Sequence, residues 1–159
     1  MTSKVPTIKQ IAWISLFPQL GLMALLMAAY YYFEVEEFIL FGAGTYLVIS
    51  YLLRTQIPKQ HREGMSLVKI QDFTTAIPRF EKSFDYFTKH EWIDKYRYLI
   101  LLSSSKASYR EMALINIAFC YSQIGDGDAA KKYYNKTLDL FPDSMMASTA
   151  LKMIESVEK

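Results

Sequence analysis

Two long stretches without a single ionisable side chain decide what this chain can fold into. The first runs from Ile11 to Phe33 (IAWISLFPQLGLMALLMAAYYYF), twenty-three residues without a charge. A bilayer core takes about 20 helical residues to cross. The second, Phe38 to Leu53 (FILFGAGTYLVISYLL), has sixteen, about 24 Å of helix at about 1.5 Å per residue. It is slightly short by itself, but the interface at Val35, Glu36 and Glu37 and a snorkelling Arg54 complete its ends. Neither stretch has the periodic polar breaks of a surface helix, and a small-x-small cleavage site is poor around Ala28 and Ala29. The expectation is a transmembrane helix at 11–33, a tight acidic loop at 34–37 and a second transmembrane helix at 38–53.

Details within the hairpin follow from the same chemistry. Tyr30, Tyr31, Tyr32 and Phe33 form an aromatic belt of the kind that favours the headgroup level. Pro18 and Gly21 are candidates for a bend in the first helix, and Gly42-Ala43-Gly44 for close approach of the second. No ionisable group lies within either span, so the usual mark of a transporter or proton relay is missing.

Orientation is read from Lys and Arg. Lys4 and Lys9 precede the first span and Arg54, Lys59, Arg62 and Lys69 follow the second, whereas the connecting loop carries only Glu34, Glu36 and Glu37. The positive-inside rule puts residues 1–10 and everything after the hairpin in the cytoplasm, most simply at a plasma (inner) membrane.

Beyond Arg54 the composition changes. Residues 54–159 carry sixteen Lys/Arg against thirteen Asp/Glu, a balance without the basic footprint that nucleic-acid binding requires. After a linker at 54–63, with Pro58 and the polar run KQHREG, aromatic and aliphatic residues recur every three or four positions, a helical pattern.

Glu111 to Ser144 (EMALINIAFCYSQIGDGDAAKKYYNKTLDLFPDS) is thirty-four residues long. Leu114, Ile117, Ala118 and Tyr121 mark its first helix, Ala130 and Tyr134 its second, and Pro142 closes it. This segment resembles one tetratricopeptide repeat, whose pattern places a large residue, Leu-Gly and Tyr on the first helix and Ala-x-x-x-aromatic on the second. Leu114 stands for the large residue and Ile117-Ala118 for the Leu-Gly pair, while Thr137 departs from the usual small Ala. Ser108-x-x-Glu111 has the form of a capping box, and Gly125 followed by Asp126 reads as helix stop and N-cap.

A degenerate copy overlies about 57–90, fifty-four residues earlier. Gly64 falls on the small position, Leu67 replaces the Tyr, Ala76 and Phe80 keep the Ala-x-x-x-aromatic spacing, and Ser83 stands for the second Ala. Glu63 and Thr88 depart from the expected Leu and Pro. Asp72 is a candidate cap, and Pro78 is compatible with a helix near its first turn. The segment between the copies, EWIDKYRYLILL and then Ser103-Ser104-Ser105, has room for one more helix. Residues 144–157 form an amphipathic capping helix. The expected fold is all-α: a transmembrane hairpin, then at 64–159 a tetratricopeptide-like domain of about six helices, as a short solenoid or compact bundle.

An enzyme needs convergent reactive groups, and the inventory is thin. Cys120 is the lone cysteine and sits in a helix as a packing residue; an intramolecular disulfide is impossible. His61 and His90 have no Cys or acidic residue at metal spacing and read as surface side chains. Asp126-x-Asp128 lacks the other ligands of a calcium loop, and GAG lies in a membrane helix rather than a phosphate loop. No catalytic residue, metal or cofactor is assigned.

The resemblance implies instead a groove lined by the first helix of each repeat, holding a peptide or protein segment. Here the groove-facing residues are Met112, Ile115, Asn116, Phe119, Ser122 and Gln123. Asn116 alone suits a carboxylate clamp, so the groove is expected to take an apolar or amphipathic segment. The implied role is a membrane-anchored scaffold or adaptor. The alternative is a structural or regulatory subunit of a membrane complex acting through its hairpin. How far neighbouring helices cover the groove is an open point of the sequence.

Overall fold

The computed structural model describes residues 12–157. These form a 3-10 turn and nine α-helices, with no strand among the described residues. The chain divides into two compact units, one of Met1–Arg54 with Tyr96–Ala107, the other of Thr55–Lys95 with Ser108–Lys159. The expected single domain at 64–159 is therefore interrupted: the twelve residues 96–107 belong with the hairpin.

In the first unit a 3-10 turn at Trp13–Ser15 leads into α1 (Leu16–Tyr32), and α2 spans Phe38–Gln56. Trp13–Tyr32 and Phe38–Gln56 are long and apolar enough to cross a membrane, and their side chains are largely unburied by the protein. Lys4, Lys9 and Ile11 lie outside the described residues. Pro18 is the third residue of α1, in a first turn where its missing N–H costs no intrahelical bond. Between the helices Glu34 takes the left-handed conformation at φ 54. Its N–H donates to the Tyr31 carbonyl and that of Val35 to the Tyr30 carbonyl, the paired closure of a Schellman turn. Gly42 faces Met27 so closely that a β-carbon there would lie 2.7 Å from Met27 Cγ and 2.8 Å from its Cα. Gly44 has open space instead. Tyr31, Tyr32 and Phe33 are exposed, as an aromatic belt requires. Tyr30 turns inward, its hydroxyl 2.9 Å from Thr45 Oγ1.

The remaining part of this unit is α6 (Arg97–Ile100) and the turn after it. Leu102 has φ 48, and its carbonyl accepts from Gln19 Nε2 (3.0 Å) and from the Arg54 guanidinium. Ser104 accepts from the Ala12 N–H. Arg97 orders the turn from within, donating to the Ser105 and Lys106 carbonyls.

The second unit contains α3 (Lys59–Lys69), α4 (Phe73–Lys89), α5 (Glu91–Lys95), α7 (Tyr109–Gln123), α8 (Gly127–Leu140) and α9 (Met145–Val157). α3 packs on α4, α4 on α7, α7 on α8 and α8 on α9. Helix begins at Lys59 and α2 ends at Gln56, so most of the expected linker at 54–63 is helical. The single helix expected over EWIDKYRYLILL is broken at Tyr96 into α5 and α6. Pro78 is the sixth residue of α4, beyond its first turn. It is tolerated because Pro78 and Thr74, whose carbonyl loses its helical donor, both lie on the exposed side, where water replaces the bond.

The two helix pairs α3–α4 and α7–α8 are built alike. Gln71 (φ 63) and Gly125 (φ 84) both take the left-handed conformation after the first helix. Asp72 N–H donates to the Leu67 carbonyl and Asp126 N–H to the Tyr121 carbonyl, each at 3.0 Å. The Asp72 carboxylate then caps Thr75 N–H and the Asp126 carboxylate caps Ala129 N–H. Across each crossing sit a small residue and a large one: Gly64 against Phe80, and Ala118 in one core with Ala130 and Tyr134. Each member of one set lies fifty-four residues before its counterpart.

Candidate functional site

α7 is the pivot of the second unit. Its N-terminus exposes several N–H groups that helical bonding leaves unpaired. Ser108 Oγ accepts from Glu111 N–H at 3.0 Å, and the buried Asp94 carboxylate accepts from Tyr109 N–H at 2.8 Å and from Arg110 N–H at 3.1 Å. A salt bridge from Arg110 to Glu91 (2.8 Å) adds to the junction. Asp94 thus closes the gap that residues 96–107 open in the second unit, joining α5 to the start of α7.

The body of α7 turns Ala113, Leu114, Ile117, Ala118 and Cys120 inward. Burial pushes the Cys120 thiol up to about 12, so it carries no thiolate at neutral pH and acts as a small apolar filler. Of the six groove residues, Phe119 is buried, Met112, Ile115, Asn116 and Ser122 are half-buried and Gln123 is exposed. Four of them have the following contacts within the fold. Phe119 is 9% exposed and sits edge-on against Phe73, ring centroids 5.9 Å apart. Ile115 packs against the cluster of Ala118, Ala130, Tyr134 and Ala147. Asn116 Nδ2 lies 3.5 Å from Met65 Sδ on α3. Ser122 Oγ donates to the Phe119 carbonyl of its own helix at 2.7 Å.

Phe119 is thus part of the core of the second unit, and Ile115 packs against a cluster drawn from α7, α8 and α9. Gln123 is exposed, and Met112 and Asn116 are half-buried, as is Met65 of α3.

His61 corrects another expectation. It is buried, not on the surface, with its ring edge-on to Phe80 (5.4 Å) and Tyr109 (5.5 Å). Desolvation lowers its pKa to about 4, keeping the imidazole neutral at physiological pH. Periodicity could have found it, because His61, Gly64 and Val68 fall on one face of α3. His90 is half-buried, its Nδ1 2.9 Å from the Tyr86 carbonyl. No group of three His, Cys, Asp or Glu converges among the described residues.

Sequence reasoning also missed the junctions made by Asp94 and by Gln19, Arg54 and Leu102. Both are long-range pairings of a side chain with backbone, which leave no periodic trace. No known protein family, curated protein or solved structure matches this chain.

Proposed function

We propose that this chain is a membrane-anchored interaction module: the hairpin holds it in the bilayer, and a tetratricopeptide-like pair of helical hairpins recruits another protein on the cytoplasmic side. The observation that carries this reading is the duplicated α3–α4 and α7–α8 unit, with the same turn, cap and crossing chemistry at each copy. Repeats of this kind use the face of their first helices for recognition, since the second helices stack against neighbours. Met65, Met112, Asn116 and Gln123 lie on that face. Methionine is adaptable and polarisable, and the strip holds no Lys or Arg; an apolar or amphipathic segment suits it better than a carboxylate terminus.

The test is photo-crosslinking of the full chain in its native membrane, with the probe at Met112, Gln123, Lys132 or Leu47. Capture of one partner from Met112 and Gln123 but not from Lys132 supports the recruiting strip. Capture from Leu47 alone moves the interaction to the hairpin and supports a structural subunit instead.

A further inference from the structure

Residues 96–102 (YRYLILL) present a contradiction for an aqueous segment. Tyr96 and Leu99 are 50% and 62% exposed, although α6 packs against α1, itself long and apolar enough with its 3-10 turn to cross a membrane. The turn that follows is tied to the two candidate spans: the Leu102 carbonyl accepts from Gln19 on α1 and from Arg54 at the end of α2. Gln19 lies six residues inside the apolar band that starts at Trp13, roughly 9 Å along a helix. Leu102 is buried at 1% exposure, and its carbonyl finds two donors from the protein itself rather than relying on water. The backbone thus meets the condition for non-helical chain at membrane depth. The outward side chains are those that favour the headgroup boundary, an aromatic with a polar end and an aliphatic.

We infer that Tyr96–Leu102 is a third membrane element, which does not cross but lies in the boundary between headgroups and acyl chains, with Leu99 and Tyr96 against lipid. The inference rests on α1 and α2 spanning the bilayer. It accounts for residues 96–107 grouping with the two candidate spans although the chain on either side of them, up to Lys95 and from Ser108, belongs to the second unit.

The experiment uses the full chain with Trp13→Phe and Trp92→Phe, carrying one new indole at Leu99→Trp, Tyr96→Trp or Leu47→Trp. Each is reconstituted into phosphatidylcholine–phosphatidylglycerol vesicles whose lipids are brominated either near the headgroup or near the chain ends. All three positions are exposed, so the changes do not disturb packing. The Leu99→Trp and Tyr96→Trp indoles are expected to lose emission to headgroup-proximal bromine more than to chain-end bromine, with Leu47→Trp showing the reverse order. Quenching at Leu47→Trp with none at either other position overturns the third element, whether water or a protein covers it. Absence of quenching at Leu47→Trp overturns the spanning reading and the inference with it.

Discussion

At the scale of single residues, the informative positions are those whose backbone or burial conflicts with their chemistry. Gln71 holds φ 63, a conformation in which its counterpart in the second helix pair is Gly125. An L side chain pays for the left-handed region with a β-carbon clash that glycine lacks. Gln71→Gly should therefore raise stability by about 0.5–1 kcal/mol, and Gly125→Ala should lower it by about 1 kcal/mol, read from chemical denaturation of the full chain in detergent. His61 supplies a pH dependence. Its folded pKa of about 4 lies below the ordinary histidine value of 6.5, so between these values the unfolded chain holds a proton that the folded chain does not. Stability is full above the unfolded pKa and falls as pH drops from about 6.5 towards 4, by up to roughly 3 kcal/mol in all. His61→Phe keeps the ring contacts with Phe80 and Tyr109 and should flatten this part of the profile; an unchanged slope would locate the titration elsewhere.

At the scale of elements, the helix crossings carry the repeat reading. A β-carbon on Gly64 would meet the Phe80 ring at 2.8 Å, and Ala118 and Ala130 have no exposed surface. Gly64→Ala, Ala118→Leu and Ala130→Leu should each cost typically 1–3 kcal/mol by overpacking, while Lys132→Leu on the exposed side of α8 should change stability by less than about 0.5 kcal/mol. Similar losses at all four sites would mean that the crossings are not where these small residues lie. The sequence made these elements legible because a crossing and a cap are local devices: Ser108, Asp72 and Asp126 cap the helices they precede, and Gly125 stops the helix it follows. It did not show that α6 joins the hairpin, because Leu102 is tied to Gln19 and Arg54, distant along the chain. The burial of Phe119 was hidden for a related reason. The spacing that places Ile115 and Phe119 on one face of α7 is correct, yet α9 and the start of α4 are packed against the margins of that face, and only tertiary neighbours reveal this.

At the scale of the whole molecule, the charges and the hairpin together make a topological claim. Two helices long and apolar enough to cross a membrane are joined by Glu34–Glu37, with the turn closed by the left-handed Glu34; if both cross, the chain returns to the side from which it came. Which side that is depends on Lys and Arg, since cytoplasmic flanks retain them and acidic residues contribute little. In the sequence Lys4 and Lys9 precede the first candidate span and Arg54, Lys59 and Arg62 follow the second, whereas the loop between them has no Lys or Arg. A reporter active only in the cytoplasm, fused after Lys159, should therefore be active, and a cysteine introduced at Glu36 should react with a membrane-impermeant thiol reagent applied from outside. Replacing Glu34, Glu36 and Glu37 with Lys, together with Lys4, Lys9, Lys59 and Arg62 by Gln, should invert both readouts. The wild-type reporter proving inactive, with Glu36→Cys shielded from the outside reagent, would put the repeat unit on the opposite face of the membrane, where a cytoplasmic recruiting role is impossible.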